Sequence, residues 1–340
     1  MRVGYNPNKD KKQEPNDFFH QVVIPVYIPD SEGYFKDSLK ILKYCIESLF
    51  KTIHPKTYIT VVNNGSCTEV VDYLTNLQKT GKIHELINTS NIGKLNAIIK
   101  GISGHDFSLI TISDCDVLFL NDWQKETYNV FEQFPKTGAV CPTPSSRSLK
   151  NHTSNIWFDL LFSKSLYFSK VKNPIALRAF AESVQNPGMY QDIHLEKYLT
   201  VSKDNFKAVV GAGHFITTYR KEVFDNNGIK YSNFMLGGDS EAKLLDLPVV
   251  EKGMWRLSTE DNFAYHLGNV AEEWMKETLS ALDQNKFFID KPIILKKIRF
   301  SKFELFIKNK IFSRIIMQKK IWEYCIKWKG LSNEEAIKYK

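Results

Sequence analysis

The chain has little that would hold it together covalently or carry it through a membrane. Its five cysteines among 340 residues (Cys45, Cys67, Cys115, Cys141 and Cys325) are odd in number, widely spaced and without a CxxC pair. Neither a disulfide framework nor a structural zinc site is expected, and the thiols read as reduced. No apolar run approaches the roughly 18 to 20 residues that a spanning helix needs, and Met1 to His20 has no apolar centre of the kind a signal peptide carries. The expected location is therefore cytoplasmic. No G-x-G-x-x-G follows the first β-rich run, which argues against a dinucleotide-binding dehydrogenase. What is present is ordinary globular material, 43% apolar and 25% charged, enough to bury a sizeable core and too apolar for a disordered chain.

Net charge is +8, and its position matters more than its size. Residues 291 to 340 hold 14 Lys and Arg against 4 Asp and Glu, leaving residues 1 to 290 at a net −2. A nucleic-acid enzyme would place the excess around its cleft. Here it is confined to a tail interleaved with Phe300, Phe303, Phe306, Phe312, Trp322, Tyr324 and Trp328, which reads as one or two amphipathic helices suited to an anionic membrane surface. No nucleic-acid partner is expected. The competing expectation is a helical pair that packs onto the rest of the chain or onto a second subunit.

From Gln21 onward, β-rich runs alternate with amphipathic helical patterns, as in βαβ units around a largely parallel sheet. The runs are 21–27, 57–63, 83–89, 107–114 and 137–143, with a long strand-like KAVVGAGHFITTY at 207–219 and a last strand ending at AYHLGN (264–269). Leu39, Leu42, Ile46, Leu49 and Phe50 recur at helical spacing between the first two. The division that follows is an N-terminal extension at 1–20, a catalytic domain at 21–285 and a basic helical tail at 286–340. Within the domain, 21–143 forms the nucleotide-binding half and 144–285 the acceptor half. Residues 144–206 are aromatic-rich and offer no clean motif; their aromatics are expected mostly in the core.

In such sheets ligands bind beyond the carboxyl ends of the strands. Asp114 and Asp116 follow the run FSLITIS, and carboxylates at i and i+2 can converge on one divalent cation, Mn2+ or Mg2+. Asn63 and Asn64, after the second run, carry carboxamides that both donate and accept, so they can read a pyrimidine edge alongside Pro25 and Tyr27 of the first. Lys94, at the start of a helix after Gly93, can meet a phosphate or a sugar hydroxyl. Gly211, Gly213 and His214 are candidates for close approach of a sugar, and Trp255 either stacks on a sugar ring or packs. In LGGDSE, Asp239 follows two glycines and precedes a helical pattern; it is the favoured general base, with Glu241 second and a helix N-cap as the structural alternative.

VVIPVY, VVNNGS, NIGKLNAIIKG, SDCDVLF, GGDSE and AYHLGN resemble, in order and spacing, the family 2 glycosyltransferases with the GT-A fold, over about residues 21 to 270. The resemblance implies an α/β, Rossmann-like, mostly parallel sheet flanked by helices. It also implies an inverting transfer from a nucleotide-diphosphate sugar, UDP-linked on this reading, to a glycan or lipid-linked glycan acceptor, with the diphosphate on Mn2+ or Mg2+. Asp114 and Asp116 match the family's DxD motif. His266 matches its late histidine, often a further metal ligand, and an imidazole beside two carboxylates would favour Mn2+. Where the family commonly has an acid after the second strand, this chain has Asn63 and Asn64. A sugar nucleotidyltransferase and a non-catalytic membrane or nucleic-acid adaptor are the alternatives; PVYIPDSEGY lacks the Gly-rich basic phosphate loop that the first would need.

Overall fold

In the computed structural model the described residues are 4–12, 17–225, 231–284, 287–289 and 291–339. The expected boundary between catalytic domain and tail, at 285 and 286, and parts of the N-terminal extension lie outside them. The strands are β1 (His20–Val26), β2 (Thr57–Asn64), β3 (Glu85–Thr89), β4 (Leu109–Ser113), β5 (Val117–Phe119), β6 (Thr137–Cys141), β7 (Leu166–Lys170), β8 (Lys197–Lys203), β9 (Phe206–Val210), β10 (Ile216–Arg220), β11 (Trp255–Thr259) and β12 (Ala264–His266). The helices are α1 (Ser38–Thr52), α2 (Thr68–Lys79), α3 (Lys94–Ile102), α4 (Trp123–Gln133), α5 (Ser154–Leu160), α6 (Pro174–Ser183), α7 (Asp192–Glu196), α8 (Leu247–Glu251) and α9 (Glu273–Ala281). The tail adds α10 (Lys302–Phe306), α11 (Ser313–Ile316), α12 (Lys319–Trp328) and α13 (Asn333–Lys338).

Ten strands form one sheet in the order β3-β2-β1-β4-β10-β6-β11-β9-β8-β7. The first four are parallel, and β10 runs antiparallel between β4 and β6. Alternation along β1 explains the layering. Val22, Ile24 and Val26 pack with Leu42, Ile46 and Leu49 of α1 and with Val70 and Leu74 of α2. Val23 faces the other way, against Leu95 and Ile98 of α3. A strand buried on both faces reads as a continuous apolar run rather than an alternating one.

The sheet opens where the chemistry was expected. β1 pairs with β2 as far as Val26↔Asn63, but with β4 only as far as Val23↔Ile112. Pro25, which has no N–H to give, falls where β1 has outrun β4, so a proline in a central strand costs no bond to that neighbour. The chain order reverses at this β1/β4 boundary, and such a switch point is where open α/β sheets bind ligands. A second, two-stranded sheet follows, in which β5 pairs antiparallel with β12 and places His266 opposite Val117.

The structure corrects two sequence expectations. The run 207–219 is not one strand. β9 pairs with β8 and β11, while β10 lies between β4 and β6. The break falls at Gly211, whose φ is +102° and whose missing Cβ would lie 2.4 Å from Cβ of Ser148, so the chain turns where no side chain fits. Residues 144–206 are also more regular than they read, because β7 and β8 continue the sheet as an antiparallel meander with β9. Trp157, Phe168 and Tyr190 are core as expected, whereas Phe162 is exposed.

The tail packs on the domain rather than standing apart. Trp322, Cys325 and Ile326 of α12, with Leu331, Ala336 and Tyr339, belong to the same cluster as Trp157, Leu149 and Phe168, and the rings of Trp157 and Trp322 meet edge to face at 5.0 Å. Lys308 is fully buried; its ammonium pairs with Asp159 at 2.8 Å and Glu304 at 2.9 Å and lies 4.3 Å from the Phe300 ring centroid. Asp159 also takes Lys136 at 2.9 Å and the indole N–H of Trp255 at 2.9 Å, so Trp255 packs. Removing one partner of a buried ion pair typically costs about 3–5 kcal/mol. Lys308→Ala should lower the urea-unfolding stability by about that much, and a loss under about 1 kcal/mol would show that the tail is not joined to the domain through this pair.

Candidate active site

The site is built at the carboxyl ends of β1, β2 and β4. β4 ends at Ser113, and the amide of Asp114 donates to the carbonyl of Phe215 at 2.7 Å, fixing the turn that presents Asp114, Cys115 and Asp116. Asp114 Oδ1 lies 2.6 Å from Lys94 Nζ, which also reaches Glu241 Oε1 at 3.1 Å. Lys94 is positioned by Gly93, at φ +87°, where a Cβ would sit 2.8 Å from the Phe234 carbonyl oxygen. The Lys94 amide donates to the Met235 carbonyl at 2.9 Å, and Asn96 bonds Ser232 in both directions. The 231–241 loop is thus docked on the start of α3. Burial alone would depress the Lys94 ammonium, but the carboxylates of Asp114 and Glu241 outweigh it and raise its pKa above the usual lysine range.

Asp116 faces differently. Its Oδ2 lies 3.4 Å from Nε2 of His266, and its Oδ1 is buried without a hydrogen-bond partner. Burial raises its pKa, with His266 opposing and Asp114 adding to the rise. The β5–β12 pairing delivers His266 across about 150 residues of sequence, with the Leu267 amide donating to the Asp116 carbonyl at 2.7 Å. His266 Nδ1 lies 3.0 Å from Ser183 Oγ, whose own proton goes to the Phe180 carbonyl at 2.8 Å. A hydroxyl has one proton, so Nδ1 is the donor to Ser183 and Nε2 is the ring nitrogen that faces Asp116. Among the described residues no three His, Cys, Asp or Glu side chains are gathered around one point as a ready cation cage; Asp114 is turned to Lys94 instead.

The two candidate bases are in different surroundings. Glu241 lies between Lys94 and His214, with His214 Nδ1 3.5 Å from its Oε2, and the hydrogen bond from His214 with the charge of Lys94 lowers its pKa to about 2. Asp239 is exposed and pairs with Lys243, one turn on, at 2.9 Å, which lowers its pKa. Its carbonyl accepts the Lys243 amide at 2.9 Å, as a helix N-cap carbonyl does.

Asn63 and Asn64 are buried and committed to loop bonds. Asn63 donates to Asn88 Oδ1 at 2.9 Å and accepts from the Ser66 amide; Asn64 donates to Asn91 Oδ1 at 3.1 Å and accepts from the Ile92 amide. Pro25 is within β1, and Tyr27 is 40% exposed beside Phe35.

Sequence reading missed Asp246 and Arg256. Asp246 Oδ1 and Oδ2 lie 2.9 and 2.8 Å from His214 Nε2, and Arg256 Nη2 lies 2.6 Å from Asp246 Oδ1, both of the latter pair nearly fully buried. Asp246 sits inside an apolar helical pattern and Arg256 inside a strand, so only the fold reveals them. With Thr143, Tyr190, Phe215 and His266 they line a cavity of about 410 Å3.

A mixed, helix-flanked sheet, parallel from β3 to β4, with an acidic pair at its switch point and a histidine returned by a small antiparallel ribbon defines a GT-A type of fold. The chain matches the family model Glycosyl transferase family 2 over residues 22–192, half of its length, and belongs to that family. Similar solved structures include residues 1–349 of S. aureus TarS in complex with UDP-GlcNAc, at 13% identity and a TM-score of 0.43, covering 76% of this chain and 61% of that one. Another is the mannosyltransferase PcManGT of Pyrobaculum calidifontis in complex with GDP-Man and Mn2+, at 13% identity and 0.40, covering 76% and 60%. A longer TarS chain is matched over 38% of its length, at 12% identity and a TM-score of 0.43, with 77% of this chain covered. No curated protein matches the chain in sequence.

The charge chain has a pH signature. Burial would depress His214, but hydrogen bonds to Asp246 and Glu241 raise its pKa from 6.5 to about 9. A raised folded-state pKa means that this stabilisation is complete below about pH 6.5 and is lost as pH rises through about 9. Unfolding midpoints measured from pH 6 to 9.5 should fall over that window, and His214→Gln should flatten the fall. An unchanged slope in that variant would remove His214 from the titration.

Proposed function

We propose that the chain is an inverting glycosyltransferase that moves a sugar from a UDP-linked donor to a glycan or lipid-linked glycan acceptor. The observation that carries this reading is the buried, unpartnered Asp116 Oδ1 beside the imidazole Nε2 of His266. Two carboxylates and an imidazole are a donor set for Mn2+ or Mg2+, and Asp114, Asp116 and His266 are the residues that would hold it. When bound, the cation supplies countercharge for the departing diphosphate.

The chain's own residues do the rest. Lys94 neutralises Asp114 in the free protein, so donor entry exchanges this ion pair for one with phosphate, leaving the ammonium beside the diphosphate. Glu241 is engaged on both sides, by Lys94 and by His214, and it positions them. Asp239, at the turn after Gly237 and Gly238 and held only by a surface lysine, is free to rotate to an acceptor hydroxyl and take its proton as the new bond forms. The 410 Å3 cavity beside His266 is the place for the accepting sugar.

No helix among the described residues is long and apolar enough to cross a membrane. The tail presents Phe303, Phe306, Ile311 and Ile315 to solvent beside Lys302, Lys310 and Arg314, an amphipathic face suited to an anionic leaflet at the periphery of a membrane. Because α12 is part of the core, this reading is tested with the full chain. Sedimentation with anionic but not zwitterionic vesicles is expected, and indifference to both would end it.

Nucleotide release should be screened across UDP-, GDP- and dTDP-sugars, with the UDP series expected to respond. Asp239→Asn should retain donor affinity while transfer falls about 10²–10⁴-fold, the range for loss of a general base. Normal transfer by Asp239→Asn together with failure of Glu241→Gln would reverse the two roles.

A further inference from the structure

A second cavity, of about 420 Å3, lies behind the turn Ser146–Leu149, where the catalytic domain meets the tail. Arg147, Lys150 and Lys319 line it, with His194 and Trp322, and among the described residues no Asp or Glu does. Among the described residues none of these three cations forms a salt bridge. Arg147 is anchored through Nη1 to the Met189 carbonyl at 2.8 Å, and the Lys150 ammonium lies 5.5 Å from the Trp322 ring centroid. Trp322 is fixed by Trp157, so the lining is built on the core. His194 accepts the Gln191 amide on Nδ1 at 3.1 Å and gives its ring proton to the Tyr339 backbone, so it forms part of the wall; burial and the charge of Arg147 lower its pKa.

Among the described residues no carboxylate lines this concavity, so an anion that enters it meets the combined field of three cations. A guanidinium fork with two ammoniums suits the oxygens of a phosphate group, and the cavity lies at the start of α12, whose first amides add positive potential. The wall is shared with the first cavity. Asn151 lines both, and Met189, which holds Arg147, lines the first.

We propose that this cavity is a phosphate seat, which holds a phosphoester group of the acceptor while the acceptor's sugar occupies the neighbouring cavity beside His266. The seat itself stands on the cationic lining; its place along the acceptor rests on the function proposed above.

Methyl phosphate is the probe, titrated calorimetrically into the full chain without divalent metal. Saturable binding is expected, weakened on the order of tenfold by Lys150→Glu with Lys319→Glu. Both positions are exposed, and UDP binding with Mn2+ should not change in the double variant. Lys150→Gln, which removes charge without reversing it, should give a smaller loss in the same direction. Competition by phosphatidylglycerol vesicles would assign the group to a lipid headgroup, and competition by a soluble polyol-phosphate polymer to a glycan chain. Absence of saturable binding, or equal affinity in wild type and double variant, overturns the seat. Methyl phosphate binding that persists in a protein indifferent to UDP and Mn2+ would retain the seat and remove the nucleotide-sugar reading.

Discussion

The ammonium of Lys94 is the point on which the site's electrostatics depend. It ties Asp114, at the end of β4, to Glu241, in a loop more than 120 residues later, and Glu241 passes the connection through His214 to Asp246 and Arg256. Signs alternate along the whole series, so each charge is compensated by its neighbours without needing bulk water. A ligand that draws Lys94 away from Asp114 disturbs every member in turn. This couples the end of β4 to the segment after Gly237 and Gly238, where Glu241 is engaged on both sides and Asp239 stands outside the series.

Much of the frame was legible because it rests on local pattern. The β-branched runs gave β1, β2, β4 and β6 to within one or two residues, and the helical spacing of Leu42, Ile46 and Leu49 marked the buried face of α1. The acidic pair after FSLITIS could be placed at a sheet edge for the same reason. The run 207–219 misled because Gly211 and Gly213 look permissible within a strand. Only the close approach of Ser148 shows that the backbone must turn there and send β9 and β10 to separate parts of the sheet.

Other features depend on contacts that no window of sequence contains. Charge and aromatic spacing correctly made the tail helical, but not which face of it would be buried. Trp322 meets Trp157, and Lys308 is neutralised by Asp159, a residue with no distinguishing signal of its own. Arg256 and Asp246 were invisible for the same reason, each reading as an ordinary member of a strand or helix. Asn63 and Asn64 add bonds of the same kind, each carboxamide using one N–H and one lone pair on the loops that shape the crevice.

Asp116, with its buried unpartnered oxygen, is expected to make nucleotide binding depend on a divalent cation. Calorimetric titration of UDP into the wild-type chain and into Asp116→Ala, each with and without Mn2+, tests it most directly. Mn2+ should strengthen UDP binding in the wild type and have no effect in the variant, which should unfold at an unchanged urea midpoint. Equal enhancement by Mn2+ in both proteins would contradict it.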